Sequence, residues 1–230
     1  MSNHMPDSVR RWIATGAVTP TARWPVVLVL EPGGRITGTN EAARRLAGRV
    51  DVAWTFWDRV LASAADAHRV RDAIREAFRR AGETVSCVAR VHRALELEFR
   101  CTAVLADAAL LVAHERNADA DGAKTYGVAA EEVLLDRSAL TPLSLGCGAR
   151  ASLGDRAEHG LVHAVHADER GPLVRALARF DDAETTSGPW HRADGGPAFE
   201  LVLRGATFRG HAALGATVTV AGATSGRSCA

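Results

Sequence analysis

Three histidines, His159, His163 and His166, stand four and three residues apart, and Asp168 and Glu169 follow them closely. On an α-helix this spacing puts all three imidazoles on one face. With a carboxylate nearby they would bind a transition metal, Zn, Fe or Cu, and an open fourth position would permit metal-assisted chemistry. The reading requires one helix through the whole stretch. Cys87, Cys101, Cys147 and Cys229 are widely spaced and form no CxxC pair, so they make neither a zinc ribbon nor a dithiol redox site. Cys87 and Cys101 fall on the inward phase of an alternating pattern, where they would line a ligand pocket or act as small hydrophobes. Trp54, Phe56 and Trp57 offer rings that would stack on a flat ligand or simply fill a core. The chain has no GxSxG, HExxH, GxxxxGK[ST] or dinucleotide motif, so an enzyme would have to assemble its site from scattered residues.

The elements that would position these groups follow from size and periodicity. The 230 residues suit two domains of about 100 residues, hence two small cores. Apolar residues make up 47% and charged residues 24%, as expected of a globular chain that folds without disulfides. The formal charge is +1, and the basic residues are arginines, with Lys124 the only lysine, set among acids. No basic stripe forms, so no nucleic-acid partner is expected. No apolar run reaches the ~20 residues that span a bilayer, and the polar N-terminus lacks the apolar core of a signal peptide. A cytoplasmic protein with reduced thiols, with no membrane partner and no output domain, is the expectation.

Val9, Trp12 and Ile13 mark one face of a short leading helix, which would dock on a sheet or on a partner. Val26 to Leu30 reads as a buried strand, Glu31 to Gly34 as a tight turn, and Arg35 to Thr39 as a returning strand. Asn40 is placed to cap a helix over Glu41 to Ala47. Val70, Ile74, Ala77, Phe78 and Ala81 recur at helical intervals and predict an amphipathic helix over 66–81, ended by Gly82. The period then falls to two in Val85, Cys87, Ala89, Val91 and again in Leu95, Leu97, Phe99, Cys101, with a third run at Leu110 and Val112. Residues 117–124 read as an acidic linker. Beyond it the plan recurs, with a helix around Pro172 to Phe180 and strands near Trp190, Phe199 to Leu203 and Leu214 to Val220. The tail from Thr224 is expected to fray.

The segment from Val27 to Gly48, two strands joined by a glycine turn and leading to an Asn and a short helix, resembles the opening of PAS domains. Leu161 to Arg170 is similar to that family's Val-His-Pro-Asp-Asp-Arg segment ahead of its long helix, with Ala167 in place of proline. Trp190 to Gly195 resembles a turn between later strands. Leu143 to Arg150 departs from the pattern, with more glycine than a strand prefers.

The resemblance implies an α+β fold of two PAS-like units, each a five-stranded antiparallel sheet with helices on one side. The division would be a lead-in at 1–24, units at 25–118 and 126–222, a linker at 119–125 and a tail at 223–230. It implies a tandem sensory protein that binds a small-molecule ligand and acts through a homodimer or a partner protein. Val27, Trp54, Trp57, Val70, Ile74, Cys87, Phe99 and Cys101 would line the pocket of the first unit. Heme, flavin or a small metabolite would be the class of ligand. The heme-ligating histidine of PAS oxygen sensors would align with Arg71 and Pro172, His68 points away from the inward helix face, and no cysteine has the setting of the flavin-reactive one. The alternative is an enzyme on a recruited PAS fold, using heme or the histidine cluster.

Overall fold

All five residues of Val26–Leu30 (β1) are buried, although side chains on a strand alternate between two faces. A continuous Val/Leu run of this kind requires a sheet covered on both sides. The computed structural model, which describes residues 25–47, 60–91, 95–115, 128–181, 184–208 and 211–221, shows what covers each side. After β1 come Ile36–Thr39 (β2), the helices Glu41–Leu46 (α1) and Ala64–Arg79 (α2), and the strands Thr84–Val91 (β3), Leu95–Ala103 (β4) and Ala109–Glu115 (β5). They form a five-stranded antiparallel sheet in the order β2-β1-β5-β4-β3. Its inner face buries Val26, Leu28, Leu30, Leu97, Phe99, Cys101 and Leu111 against Val70, Ile74 and Ala77 of α2.

The second half repeats the plan. Glu132–Asp136 (β6) and Pro142–Leu145 (β7) lead to the helices Cys147–Leu153 (α3), Leu161–Ala164 (α4) and Arg170–Ala178 (α5). The strands Thr185–Trp190 (β8), Phe199–Phe208 (β9) and His211–Val220 (β10) complete a second antiparallel sheet of five strands, ordered β7-β6-β10-β9-β8. Each sheet thus has the same strand order in its own numbering, with its helices between strands two and three. This is an α+β fold of two PAS-like units.

There are two buried clusters, as expected, but the second does not stop at the boundary between the units. One apolar cluster joins Val27, Val29, Leu110 and Val112, on the outer face of the first sheet, to Val174 and Leu177 of α5 and to Leu201, Leu214 and Ala216 of the second sheet. The second unit's helices are therefore shared, in a stack of helix, sheet, helix and sheet. Polar contacts frame the join. Arg100 on β4 pairs with Asp136 at the end of β6 at 3.2 Å, and the Glu41 backbone N–H at the start of α1 donates to Asp181 at 2.8 Å. The second sheet closes the stack differently. Arg204 reaches across Gly215 to Glu132 at 2.8 Å, and a Cβ at Gly215 would meet the Arg204 Cγ at 2.9 Å. A charged side chain laid over that face disfavours a further helix there.

Local chemistry explains the element ends. The Asn40 carboxamide accepts from the Ala43 N–H at 3.0 Å and the Val27 N–H at 3.1 Å, and donates to the Pro25 carbonyl at 2.8 Å. One buried side chain thus caps α1 and holds the start of β1. The glycine-rich run at 143–150 divides into the end of β7, Gly146 ahead of α3, and the first turns of α3. A Cβ at Gly146 would lie 2.2 Å from the Ala129 carbonyl oxygen and 2.3 Å from that of Ala130. The glycine is there to let two backbone segments touch.

Candidate functional site

Of the residues expected to line the first pocket, Val70, Ile74, Phe99 and Cys101 come together in one buried cluster, with Cys87 packed against it half-buried. Cys87 pairs with Phe99 across β3 and β4, and Val85 with Cys101, which puts the two thiols on one face of the sheet. Val27 is separated from them. It lies on the opposite face of β1, in the cluster shared with the second unit. The alternation of the strand requires this, since Val26 and Leu28 occupy the inner face. Trp54, Phe56 and Trp57 lie outside the described residues, as do the leading helix with Val9, Trp12 and Ile13, the linker and Cys229.

The inner face is sealed beneath β1 and β5, where Leu28, Leu30, Ala109 and Leu111 are at most 1% exposed. Towards the β3 edge it is less closed, because Phe78, Val85 and Cys87 are only half-buried there among the described residues. Burial pushes the Cys87 thiol up to about 11, despite opposition from nearby Arg69. Burial likewise pushes Cys101 up to about 12, with Cys87 adding to the shift. Both thiols are protonated at neutral pH, so they bring no charge to this interior and are poor nucleophiles.

Asp66 anchors the wall. Its carboxylate is buried at the start of α2, where it meets the Ser63 hydroxyl, the Arg90 backbone N–H at 3.2 Å and Arg69 at 2.8 Å. Burial opposes its ionisation, yet the hydrogen bonds from Ser63 and Arg90 and the Arg69 charge outweigh that cost and hold the carboxyl below its ordinary range. Ser63 in turn caps α2 by accepting from the Asp66 N–H. His68 stands on the exposed side of this helix, 3.1 Å from Asp72.

The three-histidine expectation fails on backbone conformation. His159 ends a 3-10 turn, Gly160 at φ 133° breaks the chain direction, and His163 begins again in the four-residue α4. His166 lies beyond Val165, which is extended. No single helical face runs through the stretch, and among the described residues no three His, Cys, Asp or Glu side chains gather in a way that would hold a metal. Burial lowers the His163 pKa, with Arg170 and His159 adding to the effect.

What the sequence did not reveal is why the two later motifs occur together. The His166 N–H donates to the His191 carbonyl at 2.9 Å, and the Ala193 N–H to the Ala164 carbonyl at 2.9 Å. The Glu169 carboxylate accepts from the His191 N–H and meets its Nδ1, both at 2.7 Å. Partial burial raises the Glu169 pKa, but the bonds to His191 outweigh it and leave the carboxyl below its usual range. The histidine segment and the Trp190 to Gly195 turn are one clasp that fixes the lead-in to α5 against β8. The alternation of polar and apolar residues carried no signal for it, because these contacts join backbone groups and exposed polar side chains about 20 residues or more apart.

No family model matches the chain. No curated protein matches it. Among solved structures, it is similar to the PAS domain of the Cronobacter turicensis RpfR quorum-sensing receptor in complex with C12:0, at 17% identity and a TM-score of 0.34, over 40% of this chain and 94% of that one. The assignment of two PAS-like units rests on the strand order and the one-sided helices of each sheet. No helix among the described residues is long and apolar enough to cross a membrane.

Proposed function

We propose that this protein is a tandem PAS-like sensory module whose first unit takes an apolar small molecule into its interior and passes the event to the second unit through the apolar layer between the first sheet and α5. One observation carries the reading. Neighbouring residues of β1 and β5 serve opposite faces: Leu28 and Leu111 pack on the interior, while Val29 and Leu110 pack on the second unit. A ligand that shifts the inner face must also shift the surface on which α5 rests, because a strand moves as one piece.

The chemistry of the interior narrows the ligand. Val70, Ile74 and Phe99 are apolar, and the thiols of Cys87 and Cys101 are neutral. A neutral, largely hydrocarbon or aromatic molecule suits such a site, and the half-buried edge at Phe78, Val85 and Cys87 suits its passage. Trp54 and Trp57 belong to the same proposed wall. The division into units at 25–118 and 126–222, a cytoplasmic setting, and a second copy or partner protein as receiver of the signal are parts of this proposal. Fold analogy alone does not establish function, so the test is direct. Native mass spectrometry of the purified chain is expected to show a bound small molecule, and thermal-shift screening with heme, flavin mononucleotide and apolar metabolites a hit that the filled-interior variant Ile74→Phe loses. A protein free of ligand and unmoved by every compound would sink the reading.

A further inference from the structure

A cleft of about 320 Å³ opens where the two units meet, far from the interior just described in that it lies on the outer side of the first sheet. The β1–β2 turn and the β4–β5 turn form its walls on one side and the first half of α5 forms the other. Val29, Leu105 and Val174 give it apolar lining. Its volume is at the small end of the range of ligand sites.

The charges around this space are set unusually. Glu31 is already neutralised by Arg35, which meets it at 2.6 Å and 2.8 Å. Asp107, from the first unit, and Arg175, from the second, both line the cleft, yet neither side chain forms an ion pair or hydrogen bond with another described residue. The Arg175 stem runs beside Gly38 of β2, and its guanidinium lies over Gly171 at the start of α5; ideal Cβ atoms at those glycines would be 3.9 Å from its Cγ and 3.4 Å from its Nη1. One uncommitted cation and one uncommitted anion, on walls supplied by different units, share a space with an apolar lining.

The geometry points to a second binding site here, for a small zwitterion with an apolar side chain, that is, an α-amino acid or a close analogue. The carboxylate would pair with the fork of Arg175, the ammonium with Asp107, and the side chain would cover Val29, Leu105 and Val174. A monoanion would satisfy Arg175 and leave Asp107 opposing it, and a monocation the reverse. A bound zwitterion bridges the two units, so its occupancy tightens their join by mass action.

Isothermal titration of the full chain with leucine, isoleucine, valine and phenylalanine tests the site, alongside 4-methylpentanoate and 3-methylbutylamine, which each carry only one of leucine's two charges. The expected result is saturable binding of at least one amino acid, a raised thermal midpoint, and about tenfold or greater weakening for each half-molecule and for Arg175→Ala and Asp107→Ala. Both side chains are exposed, so these variants retain the fold, which circular dichroism checks. Absence of saturable binding by all four amino acids up to about 10 mM, equal binding of the half-molecules, or binding that survives both substitutions would overturn the inference.

Discussion

Leu110 and Leu111 are neighbours on β5, and each is 1% exposed, but they look in opposite directions. Leu111 belongs to the core of the first unit, and Leu110 to the cluster shared with the second. Truncating either to alanine removes three carbons, a transfer loss of about 2.4 kcal/mol, and the cavity left in a packed layer raises the cost to about 3–4 kcal/mol. Leu111→Ala must pay this in any arrangement of the units. Leu110→Ala pays it only if α5 really covers the outer face; on a sheet facing water the same change would cost within about 0.5 kcal/mol. Urea unfolding of the full chain, followed by circular dichroism, is expected to give losses of similar size for the two variants. Hydrogen exchange in Leu110→Ala should rise in α5 as well as in β1 and β5, because the shared layer loosens from both sides. A Leu110→Ala protein as stable as the parent, with α5 protection unchanged, would refute the four-layer stack and with it the proposed route between the units.

Asn40→Ala removes a cap and two further buried hydrogen bonds; a loss of about 2–3 kcal/mol is expected in the same unfolding assay. Asp66 is held below its ordinary carboxyl range in the folded chain, so the stability it contributes is complete above the unfolded value of about 3.9 and disappears as pH falls through the lower folded value. The stability gap between the parent and Asp66→Asn should therefore stay level from about pH 5 to 8 and shrink below about pH 4, and a gap that widens on acidification would contradict the assignment. Gly146→Ala drives a methyl group into two backbone carbonyl oxygens, for an expected cost of about 3 kcal/mol. Among the described cysteines, Cys147 is exposed while Cys101 is buried; mass-spectrometric mapping of alkylation should find Cys147 modified in the native protein and Cys101 only after unfolding.

The first unit was legible from local chemistry. A helix over 66–81 was expected from the spacing of Val70, Ile74 and Ala77, and α2 spans Ala64–Arg79. The alternation through Cys87 and Cys101 marked the paired strands β3 and β4, and Asn40 declared its cap. These signals survive in one dimension because they arise from residues within a few positions of one another. The continuous run from Val26 to Leu30 also showed that β1 was buried, but not by what. Val27 was assigned to the interior because a pattern with no polar residues does not say which face is which.

The second unit was harder to read, for physical reasons visible at Gly146 and Gly160. One allows two backbones to touch and the other adopts a positive φ, and neither requirement has a periodicity. The four- and three-residue spacing of His159, His163 and His166 invited a helix that Gly160 interrupts. The sequence by itself determined the strands and the long helix of the first unit, the helix and the last three strands of the second, and the apolar character of both faces of β1. Only the tertiary structure decided that the outer face of one sheet is the floor for the other unit's helices, and that Asp107 and Arg175 line the same cleft from different units. Burial is written locally in side-chain polarity, whereas the partner that provides it is chosen by packing between segments about 60 residues apart or more.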